Sequence, residues 1–511
     1  MSGSKPASAS AANAASAASA ASASSGASGA SGASGAGDAS GAGPANASSG
    51  TSAARATDGV KADAVAGRLV SLDAYRGFIM LAMASSGLGF AQVAKKPEVL
   101  ERFSGGWLDG VWRWLWQTLA YQFDHVAWTG CAFWDLIQPS FMFMVGVSMP
   151  FSNARRAKDG QSVTWRFVHV LFRSAVLVGL GVFLSSNGAP LTNFTFVNVL
   201  TQIGLGYPFL YLLSEKSGRR ENTERWIWGQ CAAACVVLVG YGVWFASYTP
   251  SPETRAEIEQ SLTAAGKTLD AATRFEGWAA HWDKHGNAAA AVDRWLLNCF
   301  PRAGDTPEKR LFRFNEGGYQ TLNFIPSLAT MIFGLMAGTM LRSDRSDSAK
   351  FKWLLGAAGL CFLVTLPIDT TLWPAWLGKL GANWSLCPAV KRIWTPTWAV
   401  FSSGWTFAML ASFYVVIDRW GYRRWSWPLV VVGVNSISMY CLSQLARPFA
   451  KATLKTHLAT VDVWFPWEPG FVGLLFGEQC PFVPIFERLA VLFVLWCVCV
   501  WLWRQRIFVR I

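Results

Sequence analysis

Charge is what this sequence holds least of. Asp, Glu, Lys and Arg make up 15% of its 511 residues, against about 25% in an ordinary soluble domain, which excludes a soluble enzyme. Ten cysteines in 511 residues are too sparse for a disulfide scaffold. There is no Walker loop, dinucleotide fingerprint, GxSxG elbow or zinc motif. The first residues lack the basic start and apolar run of a secretory signal, so no cleavage is expected. In place of charge stand a 52% hydrophobic content, 28 Trp and 34 Phe. That is the composition of an integral membrane protein. The formal charge of +13 has no soluble basic face to occupy, which excludes a nucleic-acid module; in a membrane protein it belongs in cytoplasmic loops.

Residues 1–67 are almost wholly Ala, Ser and Gly. Such a segment cannot bury enough apolar surface to offset its ordering entropy, so a disordered cytoplasmic tail is expected. Residues 68–511 carry apolar runs of spanning length. The pattern predicts an all-α, polytopic domain of about ten transmembrane helices, near 69–91, 133–152, 166–186, 194–213, 226–247, 321–341, 353–373, 397–417, 428–446 and 484–503. Alternate loops carry the cations, for example Arg155, Arg156, Lys158 and Arg166, or Arg419, Arg423 and Arg424. With those loops inside, both termini are cytoplasmic, as in a bacterial inner-membrane protein. The long loops 92–132, 248–320, 374–396 and 447–483 then lie outside. Their Trp and Pro content predicts loops folded over the helix ends. The segment 111–123, VWRWLWQTLAYQF, reads as an interfacial helix.

Histidine is scarce enough to examine residue by residue. His281 and His285 share a helical face, but no third metal ligand is evident, and no metal is expected. His169 lies one turn before Arg173, and His457 has no flanking signal. His125 follows Asp124 and precedes a helix that carries Asp135. A carboxylate beside an imidazole holds it in one tautomer for proton transfer. The bland alternative is a membrane-boundary histidine beside Trp128. Asp73 and Arg76, three apart in the first helix, form either a structural ion pair or a polar entrance. Asn198 with Gln202, and Asn435 with Ser436, either glue helices or line a cavity. Cys299, Cys387 and Cys480 fall in outer loops and Cys131 at a boundary, where disulfides are allowed without any pairing being legible.

Several segments, in order, resemble the transmembrane N-acetyltransferases of the heparan-α-glucosaminide N-acetyltransferase family. They are RLVSLDAYRGFIML (68–81), HVAWTGCAFWDLIQPSFMFMVGVSM (125–149), AVDRWLLN (291–298), TLNFIPSLATMIFGLMAG (321–338), PAVKRIWTPTWAVFSSG (388–404) and VNSISMY (434–440). The chain departs from the family pattern at ASSGLG (84–89) and at VLTQ (199–202), where Gln202 stands in place of Arg. The resemblance implies transfer of acetyl from cytoplasmic acetyl-CoA to an amino sugar or glycan on the far side of the membrane. It makes His125 the catalytic histidine and Asp135 part of its surroundings. Heparan sulfate itself is not the expected acceptor.

The expected mechanism puts acetyl-CoA's nucleotide end among inner-edge cations, Arg76, Arg155, Arg156 and Arg173, because guanidinium makes paired bonds to phosphate oxygens. His125 accepts the acceptor's proton, oriented by Asp124 or Asp135. Membrane lipid is the other expected partner, and an oligomer is compatible with the sequence. Two other classes compete. A transporter or flippase would show related halves, and no internal repeat is seen. A non-catalytic membrane sensor would have no reason to keep His125 and Asp135 together.

Overall fold

The computed structural model describes residues 69–102, 106, 108–214, 222–264, 275, 277–304, 312–373, 384–477 and 480–509. The Ala/Ser/Gly tail expected over 1–67 lies outside them. The described residues are helical, without a β-strand; two isolated bridges, Thr129 to Val390 and Asp369 to Ser385, tie loops together.

Helix α1 is Val70–Ala84, α2 Asp109–Gln122, α3 Ile137–Lys158, α4 Val163–Ser185, α5 Val199–Leu212, α6 Thr223–Ser247 and α7 Ala288–Leu297. They are followed by α8 Phe324–Arg342, α9 Asp347–Thr365, α10 Pro396–Phe413, α11 Trp427–Val434, α12 Ser436–Leu445, α13 Arg447–Trp464 and α14 Val483–Arg504. Their starts are coded locally. Side chains of Ser162, Asn198, Asn287, Ser346 and Thr395 accept the backbone N–H groups left unpaired in the first turns of α4, α5, α7, α9 and α10. At α1 the cap comes from elsewhere: Asp418 accepts the N–H groups of Val70 and Ser71, both at 3.2 Å.

Among the described residues, six helices are long and apolar enough to cross a membrane: Val163–Ser185, Thr223–Ser247, Thr321–Arg342, Asp347–Thr365, Pro396–Arg419 and Val483–Arg504. A seventh is reached if α11 and α12, bent by 70° at Asn435, count as one broken span. All ten expected segments contain helix, but the count of about ten spans is not reproduced by this measure. Helix α1 has 15 residues and α5 has 14, short of the roughly 20 that a bilayer core requires. Helix α3 has 22 residues but carries Gln138, Ser140, Ser148 and Asn153, and most of it is buried against its neighbours.

Helix α8 is the axis of the bundle. Its most apolar stretch is 83% buried, and α3, α5, α6 and α10 pack around it. Glycines permit the closest approaches. A Cβ on Gly146 of α3 would stand 1.9 Å from the Met331 carbonyl oxygen of α8, and one on Gly334 would stand 2.0 Å from that of Phe143. Helices α1 and α11 touch the same way, through Gly77 and Gly433. At one end of the bundle, Trp128, Tyr241, Phe245, Trp282, Val390 and Ile393 form a separate apolar cluster. It binds the loops around 128, 282 and 390–393 to the end of α6, and the candidate site lies beside it.

Candidate active site

The short connection from α2 to α3 is built around one carboxylate. Helix α2 ends at Gln122, whose side chain accepts the Phe133 N–H at 2.8 Å. Gly130, at φ 103°, makes a turn that L side chains resist. A 3₁₀ turn, Phe133–Leu136, then buries Asp135 to 1% exposure. Val126 and Ala132 donate their N–H groups to Asp135 Oδ2 at 3.2 and 3.3 Å. The carboxylate thus closes the loop on which His125 stands.

The other carboxylate oxygen faces the imidazole. His125 Nδ1 is 2.7 Å from Asp135 Oδ1, and the side chain of Lys391 places Nζ 3.2 Å from both atoms. An ionised carboxylate only accepts, so the short contact puts a proton on Nδ1 and directs the Lys391 ammonium to Asp135. Nε2 is left with its lone pair. Asp135 and Lys391 are buried side chains, whereas the His125 side chain is 39% exposed. The ring is therefore anchored at Nδ1 by an enclosed ion pair while its side chain stays partly exposed, an arrangement that a general base or nucleophile can use.

Lys391 is held as firmly as Asp135. Thr395 Oγ1 donates to the Pro388 carbonyl at 2.8 Å and accepts the Val390 N–H at 3.0 Å. Fully buried Asp369 accepts the Ala389 N–H at 2.7 Å. The Gly130 N–H donates to the Ala389 carbonyl at 3.1 Å, joining this loop directly to the His125 loop.

The remaining expected site residues are placed differently. Asp124 is exposed, and its Oδ1 accepts the backbone N–H of His125 at 2.8 Å; it shapes the turn, while Asp135 meets the ring. Arg76 pairs with Asp73 at 3.5 Å and donates to Ser148. Arg156 lies 3.4 Å from His169 Nε2. Arg173 donates to the Tyr207 hydroxyl at 3.0 Å, and its guanidinium lies over that ring. Arg155 is exposed. Arg155 and Arg156 belong to the last turns of α3, whose first turn adjoins Asp135, so a helix length of about 30 Å separates them from His125.

All ten cysteines are free. Burial pushes the Cys131 thiol well above its ordinary range and Cys387 up to about 11, so neither supplies a thiolate nucleophile near His125. His281 Nδ1 is engaged with the Tyr248 carbonyl at 2.8 Å, and the His285 ring packs 4.5 Å from Phe314. No group of three or more His, Cys, Asp or Glu able to hold a metal is assembled among the described residues.

Lys391 is the member that inspection of the sequence missed. It stands in the PAVKRIW segment, where its only visible sign was a lysine among mostly apolar neighbours, 256 positions from Asp135.

No protein-family model matches the chain. It is 24% identical over 339 residues to heparan-alpha-glucosaminide N-acetyltransferase of Mus musculus, covering 63% of this chain and 49% of that protein. It is 23% identical over 412 residues to the Homo sapiens protein of the same name, covering 74% of this chain and 53% of that protein. The chain spans about half the length of the curated relatives it matches. The similarity supports an acyltransferase-like family of membrane proteins.

Proposed function

We propose that the chain is a membrane-embedded acetyltransferase that moves acetyl from acetyl-CoA to an amino sugar or glycan across the membrane. The observation that carries this function is the buried Asp135–Lys391 pair holding an exposed His125 with Nε2 free. As the acceptor amine or hydroxyl attacks the thioester carbonyl carbon, Nε2 takes its proton. The carbon–sulfur bond breaks, and the departing thiolate is protonated by the imidazolium. Asp135 stabilises that imidazolium through Nδ1–H, and the buried Lys391 keeps the carboxylate ionised. A positioned base of this kind contributes about 10²–10⁴ in rate.

The loop charges support placing His125 outside and the arginines Arg76, Arg155, Arg156 and Arg173 toward the inside, where they would meet coenzyme phosphates. The broken α11–α12 helix is the one feature that favours a transporter. Its buried Asn435, however, donates to the Ile507 carbonyl and accepts the Val509 N–H, both at 3.1 Å, so the break is filled by the chain's own C-terminal segment.

The test is incubation of purified protein with labelled acetyl-CoA and a panel of amino sugars and glycans. Transfer dependent on His125 supports the assignment; the absence of transfer to every acceptor, with no acetyl trapped on the protein, rejects it. Label trapped on the protein without acceptor would identify acetyl-histidine as an intermediate.

A further inference from the structure

Helix α1 ends in a left-handed turn. Ser86, Gly87, Leu88 and Gly89 all take positive φ, between 49° and 74°, so carbonyls at the end of α1 have no continuing helix to pair them. Two arginines from distant helices supply donors. Arg447, the first residue of α13, donates to the Ala84 carbonyl at 2.6 Å and to the Ser86 hydroxyl. Arg488, in the second turn of α14, donates to the Ser86 carbonyl. The turn abuts the loop of the candidate site: a Cβ on Gly87 would stand 2.5 Å from the Phe123 carbonyl oxygen.

One cation suits the negative end of a helix, but two guanidiniums at one residue repel each other. Burial and the charge of Arg488 both press the Arg447 guanidinium below its ordinary value. Lys451, one turn along α13, adds a third cation. The neighbouring carboxylate, Glu487, pairs with Lys451 at 2.8 Å. Arg447 Nε and Arg488 Nε and Nη2 have no protein partner among the described residues and are not enclosed. Three cations thus share one carboxylate, with guanidinium donors left open to an acceptor.

The setting is a bilayer surface. Helix α14 is long and apolar enough to cross a membrane, and its most apolar stretch is only 17% buried. Arg488 stands about 8 Å along its axis from its start. Exposed Leu489 and Phe493 follow it on the same helix, and exposed Phe449 lies beside Arg447 in sequence. A cation on a lipid-facing helix is costly unless it meets a counter-charge near the headgroups.

We infer that Arg447 and Arg488 hold the phosphate of an anionic phospholipid headgroup, whose acyl chains run along Leu489 and Phe493. Guanidinium pairs its donors with phosphate oxygens. A zwitterionic headgroup would bring a cation of its own against three, so a net anionic lipid fits better. The inference does not rest on the acetyltransferase function proposed above.

The test is native mass spectrometry of the full chain in detergent, titrated with dioleoylphosphatidylglycerol, with dioleoylphosphatidylcholine and inorganic phosphate as separate arms. Wild type should bind one phosphatidylglycerol at least about ten-fold more tightly than phosphatidylcholine, the worth of one charge-assisted contact. Arg447→Gln and Arg488→Gln should each lose that preference, whereas Lys455→Gln, two turns along α13, should keep it. Because either arginine variant also removes a bond to the turn, Glu487→Gln gives a reading that misfolding cannot imitate. It deletes the competing carboxylate from a partly exposed pair of little structural worth, and should tighten phosphatidylglycerol binding about two- to five-fold with thermal stability retained. Equal wild-type affinity for the two lipids, an unchanged preference in both arginine variants, or weaker binding by Glu487→Gln would overturn the site. Displacement of phosphatidylglycerol by millimolar inorganic phosphate would overturn the lipid assignment.

Discussion

Lys391 reaches Asp135 across half the length of the chain and forms an ion pair whose side chains are 5% and 1% exposed, with His125 within 3.2 Å of the ammonium. Two charges at that depth are tolerated only because each satisfies the other. Removing one leaves the other buried without a counter-charge. Lys391→Met and Asp135→Asn should therefore each lower stability by about 3–5 kcal/mol, and the double variant should recover much of that loss. Thermal unfolding of the four proteins in one detergent measures the coupling; strictly additive losses would show that the pair does not interact.

His125 is half in solvent, so its removal should cost function rather than fold. His125→Ala is expected to lower transfer by about 10²–10⁴ while the midpoint of thermal unfolding moves little. Asp124→Asn should keep most of the activity, because Asp124 binds the backbone rather than the ring. Comparable loss in the two variants would reassign the orienting carboxylate.

Stability should respond to pH through two buried groups of opposite sign. Burial pushes His285 down to about 4. Its neutral form is favoured in the folded state, so its contribution is present above the ordinary value near 6.5 and is lost as pH falls toward 4. A shift of that size corresponds to an effect on the order of 3 kcal/mol. Asp293 is raised to about 6, so its charged form costs stability above that pH and the cost vanishes below about 4. Hence His285→Gln should flatten the loss between pH 6.5 and 4, and Asp293→Asn should be neutral or stabilising, by up to about 2 kcal/mol, at pH 7.5. Denaturation midpoints across that range separate the two; identical pH profiles for wild type and His285→Gln would contradict the first.

The close helix crossings set a strict size limit. A Cβ on Gly433 would lie 1.8 Å from the Asp73 carbonyl oxygen, and one on Gly77 would lie 1.8 Å from that of Leu429. Gly77→Ala, Gly433→Ala and Gly146→Ala should each sharply reduce the monodisperse fraction on size exclusion. Gly179→Ala and Gly240→Ala, which meet nothing within 4 Å, should not. Equal yields for both groups would mean that the crossings give way easily.

Topology is open to direct measurement. Thr192 and Asp159 are exposed in loops at opposite ends of α4. If the cation-rich loops face the cytoplasm, a membrane-impermeant thiol reagent applied to intact cells should label Thr192→Cys and spare Asp159→Cys. The native cysteines require a background variant in which exposed thiols are replaced. Labelling of Asp159→Cys alone inverts the orientation.

The membrane character, the positions of the helices and a carboxylate close to His125 were legible in the residues themselves; that Asp135 rather than Asp124 meets the ring was decided by the fold. Each depends on short range: an apolar run is local, and ten positions separate the imidazole from its carboxylate. The span count was less legible, because hydropathy weighs a segment's composition while packing decides which face meets lipid. Helix α3 can be polar, and α1 and α5 short, because α8, α10 and α11 cover them. Lys391 was invisible as a partner of Asp135. Whether a lysine is a loop charge or one half of a buried pair, and whether an amide is satisfied, depends on neighbours that only the folded chain brings within 3 Å or so of one another.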